Sequence, residues 1–261
     1  MPNTDVRSFA RYVALGDSIS IDDYPSLDLG TRLTGEPAEE VGAASLLYRN
    51  RDDLWPEFAG HGLSRRWPGI EYIDHTADGA TTWNVLEAQL PNLPRDDGEP
   101  TLVTLTAGGN DLLQLFVSEP VDSTRGLQHV AVNLREILKR ISTHFSDATI
   151  IVGTVYDPSD GTADLGPYQL TQHDAPTRRR MWNWVRSYND VVKKLAAANG
   201  CLCADIHEHF LGHGITEPDP KRRWYWEEMI IEPNSRGASE VRRLWLRALG
   251  LEPGSIGNSR G

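Results

Sequence analysis

Five short apolar runs punctuate the chain: Tyr12–Leu15, Ile70–Ile73, Thr101–Thr106, Thr149–Val155 and Cys201–Ile206. None alternates cleanly between apolar and polar, and each is rich in Val, Ile, Leu or Thr. That is the pattern of strands covered on both faces of a parallel sheet. Between the runs, apolar positions fall at helical spacing. Leu127, Val130, Leu134, Ile137 and Ile141 recur every three or four residues. So do Trp182, Val185, Tyr188, Val192 and Leu195, where Asn199-Gly200 supplies a stop. A last helix carries Val241, Leu244, Trp245 and Ala248 and ends near Gly250. Strand alternating with helix predicts an α/β fold with a doubly wound parallel sheet. The connection from Gly16 to Gly69 is too long for plain alternation. Long connections at the carboxyl ends of parallel strands commonly build binding sites.

The 261 residues, 39% hydrophobic and 24% charged, carry enough apolar material for a sizeable core and exclude wholesale disorder. No repeat or low-complexity tract interrupts them, so one domain over residues 1–261 is expected, with a core from about 11 to 250 and a loose tail at 251–261. A net charge of −11 argues against a nucleic-acid partner, whose phosphates need a basic surface. The acidic excess lies before residue 175. The basic remainder, with Arg178, Arg179, Arg180, Arg242 and Arg243, reads as solvated helix faces. With no leader-like segment and no apolar run near the length of a membrane span, a soluble cytoplasmic protein is expected. The two cysteines, Cys201 and Cys203, would face the same side of a strand, a poor start for a disulfide, and read as structural thiols in a reducing compartment.

The first strand runs into Gly16-Asp17-Ser18. A serine just past a strand, where a helix begins, presents its hydroxyl at the sheet edge among backbone N–H groups that favour a developing negative charge. The third strand ends in Thr106-Ala-Gly-Gly-Asn-Asp111, in which Asn110 offers amide donors. The second is followed by a loop with Gly79. In a doubly wound sheet these ends converge, so Ser18, Gly79 and Asn110 can supply a nucleophile and oxyanion donors.

In these blocks the chain resembles the SGNH/GDSL hydrolases, serine esterases and lipases. Gly16-Asp17-Ser18 matches the first block and Gly108-Gly109-Asn110-Asp111 the third, and Gly79 is most like the second-block glycine. The resemblance covers about Tyr12 to Leu249. It implies a three-layer α/β/α flavodoxin-like fold with a five-stranded parallel sheet. It also implies a carboxylic ester as small-molecule substrate, an acyl-enzyme on Ser18 and no cofactor.

The chain departs from the family at the fourth landmark, Asp-x-x-His. Met229 and Glu232 stand there instead, before Pro233-Asn234. The missing base directs attention to His207, His209 and His213, after the fifth strand. His213, between two glycines, is expected to act as base with Glu232 orienting it. His207, His209 and direct action of Glu232 are alternatives, and His75 lies on the wrong side of the pattern. Two other readings stay open. One is a catalytically impaired relative that binds a carbohydrate or acyl ligand. The other is a metallohydrolase built on the three histidines with Asp205, Asp22 and Asp23, although that spacing is no strong metal signature and no metal is expected. Trp224, Tyr225, Trp226, Trp55 and Trp67 are candidate pocket aromatics.

Overall fold

The computed structural model describes residues 7–30, 40–117, 123–168 and 173–253. Strands β1 (Arg11–Gly16), β2 (Glu71–Asp74), β3 (Thr101–Thr106), β4 (Ala148–Gly153) and β5 (Leu202–Ala204) form a parallel sheet in the order β2-β1-β3-β4-β5. The helices are α1 (Asp23–Asp28), α2 (Ala43–Tyr48), α3 (Leu63–Arg66), α4 (Thr82–Asn84), α5 (Gly109–Val117), α6 (Ser123–His144), α7 (Ala175–Ala198), α8 (Ile206–Phe210) and α9 (Ser235–Ala248). An antiparallel hairpin of β6 (Tyr225–Trp226) and β7 (Met229–Pro233) leads into α9. Helix α2 packs on α9 and α6 on α7, giving an α/β/α layering. Among the described residues no helix is long and apolar enough to cross a membrane.

The apolar runs became strands where predicted, with one correction. Every residue of β1 and β3 is buried, as expected for central strands, but β2 and β5 are partly exposed because each forms an edge of the sheet. Cys203 is therefore exposed on β5; both thiols are free. The long helices also follow the predicted spacing, and α7 ends at Asn199 before Gly200 at φ +68°. The start of the expected loose tail is packed. Leu251 is buried and its carbonyl meets His61 Nδ1 at 2.9 Å, while 254–261 lie outside the described residues.

The strand order reverses at β1. The chain leaves β1 for β2 on one side and returns to β3 on the other. Such a switch point opens a crevice at the carboxyl ends of the two strands. Gly16 closes β1 at φ +123°, and a Cβ there would lie 1.8 Å from the Thr106 carbonyl oxygen. The strand ends that carry the Gly-Asp-Ser and Gly-Asn-Asp blocks are thus pressed together.

Candidate active site

Ser18 follows β1 at that crevice. No helix begins there, contrary to expectation. Asp17 takes the Ile19 N–H on its own carboxylate at 3.2 Å and Ser20 N–H donates to the Asp17 carbonyl at 3.1 Å, so the chain turns, and α1 starts only at Asp23. The turn is braced from below. Gln89, buried on the neighbouring helical segment, accepts from Gly16 N and donates to Gly16 O, both at 2.8 Å. Asp17 N–H donates to Thr106 O at 3.0 Å, and the hydroxyls of Ser20 and Thr106 lie 2.9 Å apart.

Opposite stands Glu232, from β7. The Ser18 and Glu232 side chains line the same cavity, and the Ser18 hydroxyl favours the ionised form of the carboxylate. Glu232 is only 4% exposed, and Oε2 has no hydrogen-bond partner. Burial drives its pKa from 4.5 up to about 8. The Ser18 hydroxyl works against the rise, and the negative charges of Asp17 and Asp78 add to it. Asp17 rises to about 7, chiefly by burial, against hydrogen bonds from the Thr106 hydroxyl and the Ile19 N–H. Two attachments hold Glu232 in place. The Tyr156 hydroxyl, beyond β4, donates to Ile231 O at 2.6 Å. Asn234 caps α9 through Gly237 N–H at 2.9 Å and donates from Nδ2 to Arg223 O and Tyr225 O.

Asn110 and Gly79, the expected oxyanion donors, come from the start of α5 and the loop after β2. Asn110, in the first turn of α5, donates from Nδ2 to Ala80 O at 3.0 Å, tying it to the residue after Gly79. The Asp111 carboxylate accepts from Thr82 N–H at 2.8 Å and Thr82 Oγ1 at 2.7 Å, and Asn133 of α6 donates to the same hydroxyl. Gly79 has φ +68° and is exposed, with open space where a Cβ would sit. Tyr24 of α1 bridges the two halves. Burial and the nearby carboxylates of Asp78 and Glu232 raise the pKa of its hydroxyl, and its ring lies 5.9 Å from that of Trp226 in the hairpin.

The histidines are placed elsewhere, which corrects the expectation that His213 serves as base. His213 stacks on Trp224 at 3.5 Å and its Nδ1 meets Arg222 O at 2.6 Å. His209 Nε2 pairs with Glu240 at 2.8 Å, and Glu240 is shared with Arg243. His207 Nε2 is buried without a partner, and burial lowers its pKa. No histidine lines the cavity around Ser18. His213→Ala is accordingly expected to keep kcat/KM for short esters within about threefold of wild type, measured at equal concentrations of folded protein; a loss of about a hundredfold would restore His213 as the base.

The metal reading also finds no support in the placement. Asp22 instead accepts from Gly42 N–H at 2.6 Å and Ser45 Oγ at 2.8 Å, fastening α1 to α2, and burial lifts its pKa to about 6. Asp205 pairs with Lys193 at 2.6 Å. Among the described residues no three His, Cys, Asp or Glu side chains gather as a metal-binding group. Of the candidate aromatics, none lines the cavity beside Ser18. Trp67 packs edge-on against Phe9, Trp55 lies near Arg242, and Tyr225 is buried against Phe210 and Tyr156.

Sequence reasoning missed Gln89, Thr82, Tyr24 and Asp78. Gln89 shares the stretch 85–90 with the charged Glu87 and so did not stand out. Tyr24 and Asp78 are separated by over fifty residues and carried no signal.

A family model described as GDSL-like lipase/acylhydrolase matches residues 14–239. An extracellular lipase from Streptomyces rimosus has a similar structure, with a TM-score of 0.59 at 20% identity, covering 92% of this chain and 98% of the lipase. A phospholipase A1 from Streptomyces albidoflavus aligns with a TM-score of 0.58 at 19% identity over 93% of this chain and 99% of its own. The acetylxylan esterase Axe2 from Geobacillus stearothermophilus aligns with a TM-score of 0.57 at 17% identity over 97% and 100%. No curated protein matches the sequence.

Proposed function

We propose that this chain, which belongs to the GDSL-like lipase/acylhydrolase family over residues 14–239, cleaves carboxylic esters through an acyl-enzyme on Ser18 with Glu232 as general base. The observation that carries the reading is the buried Glu232 carboxyl on the wall of the same cavity as Ser18, at the carboxyl edge of β1. An ordinary carboxylate is too weak a base to deprotonate serine well. One raised to about 8 by burial is a far better match to the task.

In acylation, Glu232 takes the Ser18 proton as Oγ attacks the ester carbonyl. The tetrahedral oxyanion is held by Asn110 Nδ2 and the backbone N–H groups of Ser18 and Gly79. Collapse expels the alcohol, which leaves with the proton from Glu232. Water then gives a proton to Glu232 and attacks the acyl-enzyme, releasing the acid and restoring Ser18 with the returned proton. The whole cycle needs one group to exchange one proton twice, and a lone carboxylate suffices.

The carboxylate must be ionised to accept that proton. Below its pKa the active fraction falls tenfold per pH unit, so kcat/KM and fluorophosphonate labelling of Ser18 are both expected to rise with pH and level off above about 8. At pH 7 about one enzyme in ten would be competent. Labelling that is absent across pH 6–9 in folded protein would discard the catalytic reading in favour of a ligand-binding relative.

A further inference from the structure

We propose that the cavity beside Ser18 is an acyl pocket that admits short, uncharged acyl groups and that Phe116 and Trp182 set its depth. This rests on the reading of Ser18 as the acylated nucleophile and adds the class of acid that it carries. The cavity measures about 50 Å³. One water needs about 10–15 Å³ of such space, so the cavity has room for only a few non-hydrogen atoms.

Its position and lining argue for the acyl side. Ser18, Asn110 and Glu232 are on its wall, so it opens where the carbonyl carbon would sit. Away from them it is walled by Leu112, Phe116, Val155, Trp182, Val185 and Ile231. Leu112, Phe116, Trp182 and Val185 are all at least nine-tenths buried. Phe116 of α5 and Trp182 of α7 meet edge to face, with centroids 5.6 Å apart at 66°. Two long-range helices are thus locked against each other, and an alkyl chain cannot extend between them without separating their rings. A small apolar pocket suits the part of the substrate that stays bonded to the enzyme after the first step, since the alcohol has to leave. A charged acyl group would lose its hydration here with no counter-ion on the wall.

The test is an ester series with one alcohol, p-nitrophenyl acetate, butyrate, hexanoate and octanoate, on the purified full chain. Wild-type kcat/KM is expected to peak at acetate or butyrate and to fall about tenfold or more by octanoate. Trp182→Ala should move the optimum to a longer chain. If that variant does not fold, Phe116→Leu, which keeps the helix contact but shortens the side chain, should show a smaller shift in the same direction. A wild-type enzyme that prefers octanoate, or folded variants with an unchanged chain-length profile, would overturn the pocket assignment while leaving the esterase reading intact. An enzyme that cleaves none of the esters and whose Ser18 does not label would overturn both.

Discussion

Glu232→Gln is expected to lower kcat/KM by about 10²–10⁴-fold and, in the same variant, to raise the melting temperature at pH 9. The loss follows from the chemistry: an amide cannot take the Ser18 proton. The gain follows from linkage. Glu232 is raised from 4.5 to about 8 in the folded protein, mainly by burial, with Oε2 lacking any partner. Between those two pH values the folded chain holds a proton that the unfolded chain has released. Stability therefore falls as pH rises through that interval and reaches its minimum contribution above the folded value. Above pH 8 the buried charge costs a few kcal/mol, order of magnitude, which glutamine removes. At about that size the melting temperature should rise by several degrees at pH 9, since one kcal/mol moves a domain of this length by roughly 2–4 °C. At pH 5 the carboxyl is protonated in the fold and the difference should shrink towards zero. Differential scanning calorimetry at the two pH values, together with ester hydrolysis, gives both readouts. A variant that keeps wild-type kcat/KM between pH 6 and 9 would remove Glu232 from the mechanism. A melting temperature that shifts equally at pH 5 and pH 9 would contradict the burial account.

Gly16→Ala should have the largest effect on folding. The new methyl would lie 1.8 Å from the Thr106 carbonyl oxygen and 2.7 Å from its carbonyl carbon, both backbone atoms of β3. Neither can swing aside, because Thr106 O accepts the Asp17 N–H and β1 and β3 are paired along their whole length. The φ of +123° adds strain for any L side chain. A destabilisation of roughly 4 kcal/mol or more is expected, close to the whole stability of an ordinary domain. Gly79→Ala is the matched control. It also has positive φ, +68°, but its Cβ would meet nothing within 4 Å, so only about 1 kcal/mol of backbone strain is expected. Urea denaturation of the two variants should separate them clearly. Equal midpoints for Gly16→Ala and wild type would mean that β1 and β3 do not approach as closely as described.

The two variants test opposite kinds of constraint. Gly16 holds the end of β1 that leads to Ser18 against the end of β3, a packing demand met by the absence of a side chain. Glu232 is held in an environment that opposes its own charge, a site where stability is given up for basicity. Asp17, raised to about 7, contributes to the same tension, since its charge is among those that lift Glu232.

The Gly-Asp-Ser and Gly-Asn-Asp blocks were legible because each lies within a few residues of a strand end, where local pattern and topology agree. Glu232 was also visible, as the residue standing in the family's histidine position, with His213 expected as the base and Glu232 orienting it. The eye goes to histidines when a serine lacks a base, and three lay together in Asp205–Gly214. They stay close together in the fold, His209 and His213 both against Trp224, but away from the cavity beside Ser18. α8 and the loop after it turn His209 towards Glu240 and His213 onto Trp224, each satisfied by a local partner. The aromatic run Trp224-Tyr225-Trp226 misled for a similar reason. Its residues pack the hairpin that presents Glu232, while the cavity wall comes from Phe116 and Trp182, which read as ordinary apolar positions on amphipathic helices.

The sequence by itself determined the five strand runs, the long helices and the two motif blocks, because alternation of apolar runs with helical spacing and short glycine-rich turns are local signals. Only the tertiary structure decided which carboxylate meets Ser18, what raises its pKa and how deep the adjacent cavity is. Those depend on burial and on contacts between residues as distant as Ser18 and Glu232, or Phe116 and Trp182. Proximity across such separations is a property of packing and is written nowhere in the spacing of residues along the chain.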